Sequence, residues 1–150
     1  MNPNAIETHL IDVVALICSS FGLTAGEPSA AVPSGACLRS RVHLDGTFSG
    51  DVAIRCSPLL ARRVASSMFG SVADEVSDAD AQDATNELAN MIAGNLKSAL
   101  GETLNLSIPD VPNPGESGIY AAMGPLALVT IPIEDGSITA AVLRRQLSDF

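Results

Sequence analysis

The sequence predicts an α+β fold: a largely antiparallel sheet packed with one short and two long helices. Three observations carry this reading. Residues 3–22 and 78–101 repeat apolar side chains at helical spacing. Residues 36–44 and 50–56 alternate apolar with polar residues on either side of "DG", as the arms of a hairpin do. Further on, "LALVTIPI" and "SITAAVLRR" are strand-like runs joined only by "EDG". Residues 1–150 are read as a single domain, a length that buries a substantial core.

Taken in order, the first helix carries Ile6, Leu10, Val13, Val14, Ile17, Cys18 and Phe21 on one face, with Pro3 in its first turn and Gly22 at its exit. "LTAGEPSAAVPSG" follows as a turn-rich connector. In the hairpin, Ala36, Leu38, Val42 and Leu44 face inward with Val52, Ile54 and Cys56, while Arg39, Arg41 and His43 face water. Ser57-Pro58 reads as an N-cap and first helical residue, opening a short helix that buries Leu60, Val64 and Met68 and stops at Gly70. Residues 71–83 hold five acids and no base, which suits a solvated helix entry with acids near the positive end of the dipole. After the long helix ending near Gly101, "TLNLSI" and "IYAAM" read as strands around a Pro-rich loop, and Pro132 suits an edge strand. The order suggests two halves, each a long helix with strands, without a residue-level repeat.

Composition removes several functions. The hydrophobic fraction is 47% and the charged fraction 17%, which excludes disorder over most of the length. A net charge of −9, with seven Arg and the lone Lys97, leaves no basic stripe for phosphates, so neither nucleic acid nor an anionic membrane is expected as partner. Aromatics are too few to build a stacking platform. Cys18, Cys37 and Cys56 show no metal or redox spacing and sit in apolar stretches, so they read as reduced core thiols of a cytoplasmic protein. No Lys or Arg precedes Arg39, so a signal peptide's basic start is missing, and "IDVVALICSSFGL" is too short to span a bilayer. No His/Cys/Asp cluster marks a metal site of the chain's own. His9 and His43 read as surface or boundary residues.

The long helix holds the one pattern that packing does not explain. At about 100° per residue, Asp83, Glu87, Asn90, Gly94 and Lys97 fall within an arc of roughly 80°, opposite Ala84, Leu88, Met91, Ile92, Leu96 and Ala99. Gly94 costs about 1 kcal/mol relative to Ala in mid-helix, and it leaves bare backbone beside Glu87 and Asn90. Taken alone, an exposed Glu–Asn pair three residues apart is most often an ordinary solvated face.

The surrounding residues say more. "ELANMIAGNLKSAL" followed by "LNLSIPDV" resembles the signature helix and following strand of the CheX-like chemotaxis phosphatases, members of the CheC/CheX group that acts on phosphorylated receiver domains. The group's pattern of Asp or Ser, Glu, Asn and a later Pro is matched by Asp83, Glu87, Asn90 and, beyond residues 91–111, Pro112. The resemblance implies a CheC/CheX-like fold and a phosphatase that hydrolyses the aspartyl phosphate of a CheY-like response regulator. Glu87 would dock to the receiver's active-site lysine and Asn90 would orient the attacking water. Asp83, Gly94, Lys97 and Pro112 would belong to the partner-binding surface, with Gly94 permitting close approach. The chain would need no cofactor of its own, since Mg²⁺ would be carried by the receiver, and a homodimer would form through sheet edges. Two readings stay open beside catalysis: a catalytically silent receiver-binding module, and a dimeric scaffold in which a strand such as "LALVTIPI" pairs across an interface.

Overall fold

The computed structural model describes residues 2–101, 103–112, 124–134 and 136–145. Its elements are α1 (Pro3–Ser20), β1 (Leu38–Gly46), β2 (Gly50–Cys56), α2 (Pro58–Phe69), a 3₁₀ turn (Ala73–Glu75), α3 (Asp78–Leu100), β3 (Leu104–Leu106), β4 (Ala127–Ile133) and β5 (Gly136–Arg144). The fold class stands as the sequence predicts it, with α2 as the short helix. The strand expected at "IYAAM" lies outside the described residues.

The strands form one sheet in the order β3-β1-β2-β5-β4, and every pairing is antiparallel. At its centre β2 and β5 pair from Gly50↔Arg144 to Cys56↔Ile138, joining the two hairpins. Period-2 alternation then sends Val42, Leu44, Val52, Ile54, Val129, Ile131, Ile138 and Val142 to one face, where all are buried. Against that face lie the three helices. α3 packs chiefly over β1 and α1 over β4, so each half's long helix covers the other half's outer strand, and both long helices touch each other. Ile6, Leu10, Val14, Leu88, Ile92 and Leu96 close the core from above.

Local chemistry fixes the helix ends. Asn2 accepts from the Asn4 N–H at the start of α1. At α3, Ser77 and Asp80 form a reciprocal capping box, and Gly101 closes the helix in the left-handed conformation. Arg62 of α2 reaches both the Val76 carbonyl and the Asp78 carboxylate, clamping the entry. Gly70 ends α2 at φ 70°.

Several side chains depart from expectation. Ser57 occupies the N-cap position of α2 but does not cap; its Oγ accepts from the Ser137 N–H at 2.9 Å across the sheet. Ala36 precedes β1 and is exposed, Ala99 is exposed near the end of α3, and Met68 is only half-buried. The supposedly wet face of the hairpin is substantially covered. Arg41 is 6% exposed and Asp51 is fully buried. His43 is a boundary residue, as expected, but a bonded one: its Nδ1 meets Asp51, which also accepts from Arg145 at 2.9 Å. Asp110 holds Arg41 through two bonds of 3.0 and 2.7 Å, and the Arg41 guanidinium, ahead of the burial that opposes it, lowers the Asp110 carboxyl below its ordinary range. The connector after α1 is also more than a loop. It bridges the outer edge of β4, where Gly26 N–H donates to the Pro132 carbonyl and Ser29 exchanges two bonds with Thr130.

Two substitutions test this packing. A Cβ at Gly50 would collide with the Leu143 carbonyl and the Phe48 ring, so Gly50→Ala is expected to lose about 2 kcal/mol or more in denaturant unfolding. Ser40 Oγ is buried without a hydrogen-bond partner among the described residues, so Ser40→Ala is expected to gain about 1 kcal/mol in the same assay.

Candidate functional site

The site is one uncovered stripe of α3. Ala81, Ala84, Thr85, Leu88, Ala89, Ile92, Ala93 and Leu96 are buried against the sheet and the neighbouring helices. Asp83, Glu87 and Asn90 are exposed, while Gly94 and Lys97 are half-exposed in line with them. The structure therefore brings five of the six sequence-derived candidates to one surface. Pro112 stands apart. It follows the Arg41↔Asp110 bridge and lines a groove on the opposite face of the sheet.

The polar side chains flanking the stripe are engaged within the molecule. Gln82 donates to the Arg39 carbonyl and to Asn86, Thr85 donates to the Ala81 carbonyl, and Asn95 donates to the Met91 carbonyl. Asp83, Glu87, Asn90 and Lys97, in contrast, have no side-chain partner among the described residues. A carboxylate and a carboxamide one turn apart are thus available to bond outward.

Gly94 has no packing role at home. Among the described residues a Cβ built on it would meet nothing within 4 Å, so no described element needs the glycine in order to approach. Its helix-propensity cost is left without internal compensation. Lys97 sits in the last turn of α3, where a cation is favoured by the helix dipole.

Other chemistry is weakly represented. Among the described residues no group of three or more His, Cys, Asp or Glu is placed to hold a metal ion. No helix among them is long and apolar enough to cross a membrane. Cys18 and Cys56 are free, buried thiols, pushed up by burial to about 11 and about 12. Cys37, expected in the core, is half-buried beside Arg55 instead. What sequence reasoning missed is that hairpin register puts Arg39 directly opposite Arg55. Counting residues outward from the turn would have shown it.

Comparison with solved structures gives the fold independent support. The CheX–CheY–BeF3–Mg complex from Borrelia burgdorferi contains a chain 20% identical to this one, with a TM-score of 0.66 over 93% of this chain and 97% of that one. Chemotaxis protein CheX from Vibrio vulnificus gives 0.68 at 14% identity, covering 93% and 96%. A CheX from Desulfovibrio desulfuricans gives 0.64 at 20% identity, covering 93% and 99%. At these identities the likeness shows the fold alone. No curated protein matches in sequence. The family model for the chemotaxis phosphatase CheX does match, over residues 39–133, a span that runs from β1 to the end of β4 and contains all of α3. That match covers more than half of the chain, which therefore belongs to the CheX family of chemotaxis phosphatases.

Proposed function

We propose that this chain hydrolyses the aspartyl phosphate of a CheY-like receiver domain, with Glu87 and Asn90 of α3 as the working pair. One observation carries the reading: Glu87 and Asn90, in line with Asp83 and Lys97, have no side-chain partner among the described residues, and they stand beside a glycine whose missing side chain those residues leave as open space. The Borrelia relative's complex with CheY, BeF3 and Mg supports a receiver as partner. In this reading Mg²⁺ belongs to the receiver and neutralises phosphoryl charge there, and the chain needs no cofactor of its own.

The chemistry asks little covalent work of α3. Phosphoryl transfer passes through a loose transition state, so rate comes from placing the nucleophile and stabilising charge. The Asn90 carboxamide both donates and accepts, which lets it hold a water in line with the scissile bond. The water oxygen bonds to phosphorus as the bond to the aspartyl oxygen breaks; the aspartate leaves as a carboxylate, and both protons of the water go with the inorganic phosphate as dihydrogen phosphate. Glu87 pairs with a receiver lysine, which offsets the repulsion its carboxylate would otherwise meet near phosphate. Gly94 lets the receiver backbone come close, and Asp83 and Lys97 border the contact. Pro112, on the other face of the sheet, is not part of the docking surface in this proposal. The reading takes residues 1–150 as one domain acting in the cytoplasm as a homodimer. Because residues 26 and 29 occupy part of the β4 edge, a second copy would add at the opposite edge, beside β3.

The deciding measurement is phosphate loss from a Mg²⁺-loaded, phosphorylated receiver. Asn90→Ala is expected to slow the catalysed reaction roughly 100-fold or more, to the receiver's own decay, while receiver affinity stays within about threefold. Wild-type protein that binds the receiver without accelerating its decay would instead establish a silent docking module. Gly94→Ala separates stability from function. It is expected to raise stability by about 1 kcal/mol, with nothing nearby to clash, and yet to weaken receiver binding and slow dephosphorylation. A stabilised variant with unchanged turnover would remove Gly94 from the docking surface.

A further inference from the structure

The sheet face turned away from the helices carries a pair of arginines that the phosphatase reading does not use. Arg39 and Arg55 stand directly opposite each other across β1 and β2, and like charges in that position repel. Neither has a carboxylate partner among the described residues, although the chain carries a net charge of −9. Other arginines of the chain are treated differently. Arg41 is held by Asp110, Arg145 by Asp45 and Asp51, and Arg62 by Asp78. Among the described residues, then, no carboxylate meets either of these two half-buried guanidiniums, although the chain is acidic.

Their surroundings describe that partner. Both arginines border a groove of about 330 Å³, within the roughly 300–1,000 Å³ range of small-molecule sites. Its remaining lining is mostly apolar and includes Val32, Pro112, Pro125, Leu128, Ala141 and Leu143. Thr139, also in the lining, has its hydroxyl paired with Thr130 at 2.8 Å and is not an open polar contact. At the arginine end, Arg55 Nε donates to Cys37 Sγ at 3.2 Å. Burial alone would raise the Cys37 thiol, but hydrogen bonds from Arg55 and Arg39, with their charges, bring it below its ordinary value. That end of the groove is thus built to hold negative charge.

We propose that this groove binds a small amphipathic carboxylate, its head bridging Arg39 and Arg55 and its apolar body lying over β5 and β4. A planar carboxylate matches guanidinium forks, and the charge-assisted bonds relieve the repulsion between the two arginines. The apolar lining accounts for the body, since inorganic phosphate or another wholly polar anion would leave it exposed to water. The site is on the opposite face of the sheet from α3 and does not depend on the phosphatase reading.

The test uses the full chain with decanoate as probe, and 1-decanol and inorganic phosphate as controls. Calorimetry is expected to show decanoate binding at least about tenfold tighter than decanol or phosphate, and Arg39→Gln/Arg55→Gln is expected to lose that margin. Decanoate is also expected to raise the wild-type unfolding temperature. A second readout needs no variant: iodoacetamide labelling of Cys37, followed by peptide mass mapping, should slow several-fold when decanoate is bound. Equal affinity for decanoate and decanol, preference for phosphate, an undiminished double variant, no binding at millimolar decanoate, or an unprotected Cys37 would each overturn the proposal.

Discussion

The whole arrangement depends on how much of α3 a single sheet and two helices can bury. A helix in the middle of a layer has neighbours on both sides and a sheet beneath, so only a narrow arc stays in water. The chain answers with small residues where elements come closest. Ala81, Ala84, Ala89 and Ala93 are all buried on α3, and Ala61 and Ala65 are buried on α2. Short side chains let the helices approach, while Leu88, Ile92 and Leu96 supply most of the apolar volume. What is left over is a strip one or two side chains wide, held rigid by everything around it. A reactive group placed there inherits the stiffness of the core without being enclosed by it, which is the geometry that strict positioning of a water requires.

The opposite face of the sheet solves a different problem. Polar strand residues there are taken partly out of water by chain segments that cross over them, and buried charge is tolerable only when it is paired. Asp51 is the clearest case: fully buried, it is shared by His43 and Arg145, and Arg145 continues to Asp45 and the Gly50 carbonyl. This network ties β1, β2 and the end of β5 at one side of the face. Arg39 and Arg55 at the other side are left out of it.

How far the sequence discloses all this depends on the range of the interaction involved. The span of α3 is legible almost to the residue from helical periodicity and Gly101, and the reciprocal Ser77–Asp80 cap that the structure adds at its start is equally local. The exposed stripe was legible for the same reason: angular position on a helix follows from counting. Ser57 misled because its hydroxyl chose Ser137, a residue 80 positions away that no local rule brings near. Alternation makes the hairpin's second face look wet, whereas Asp110 and Arg145, remote in sequence from β1 and β2, bond to Arg41 and Asp51 on it. Composition assigns Cys37 to the core, whereas the structure sets it half-buried beside the guanidinium of Arg55. Pro112 matched a motif by spacing, but spacing along a chain does not say on which side of a sheet a loop will pass.

The way α1 and its connector reach β4 has a consequence for how the protein is made. Residues 25–29 emerge from the ribosome roughly 100 residues before the strand whose edge they line, an interval of about 5–20 s at ordinary synthesis rates. When β4 appears, its edge partner is already present, so the strand need not stand open to a neighbouring chain. The same order of events imposes a wait. α1 has its main strand partner in β4, and β2 has its central partner in β5, so the first half of the polypeptide carries unsatisfied apolar surface until the last hairpin is complete. This fold therefore closes late in translation and nearly all at once, and the nascent chain is most vulnerable to aggregation just before its final hairpin arrives.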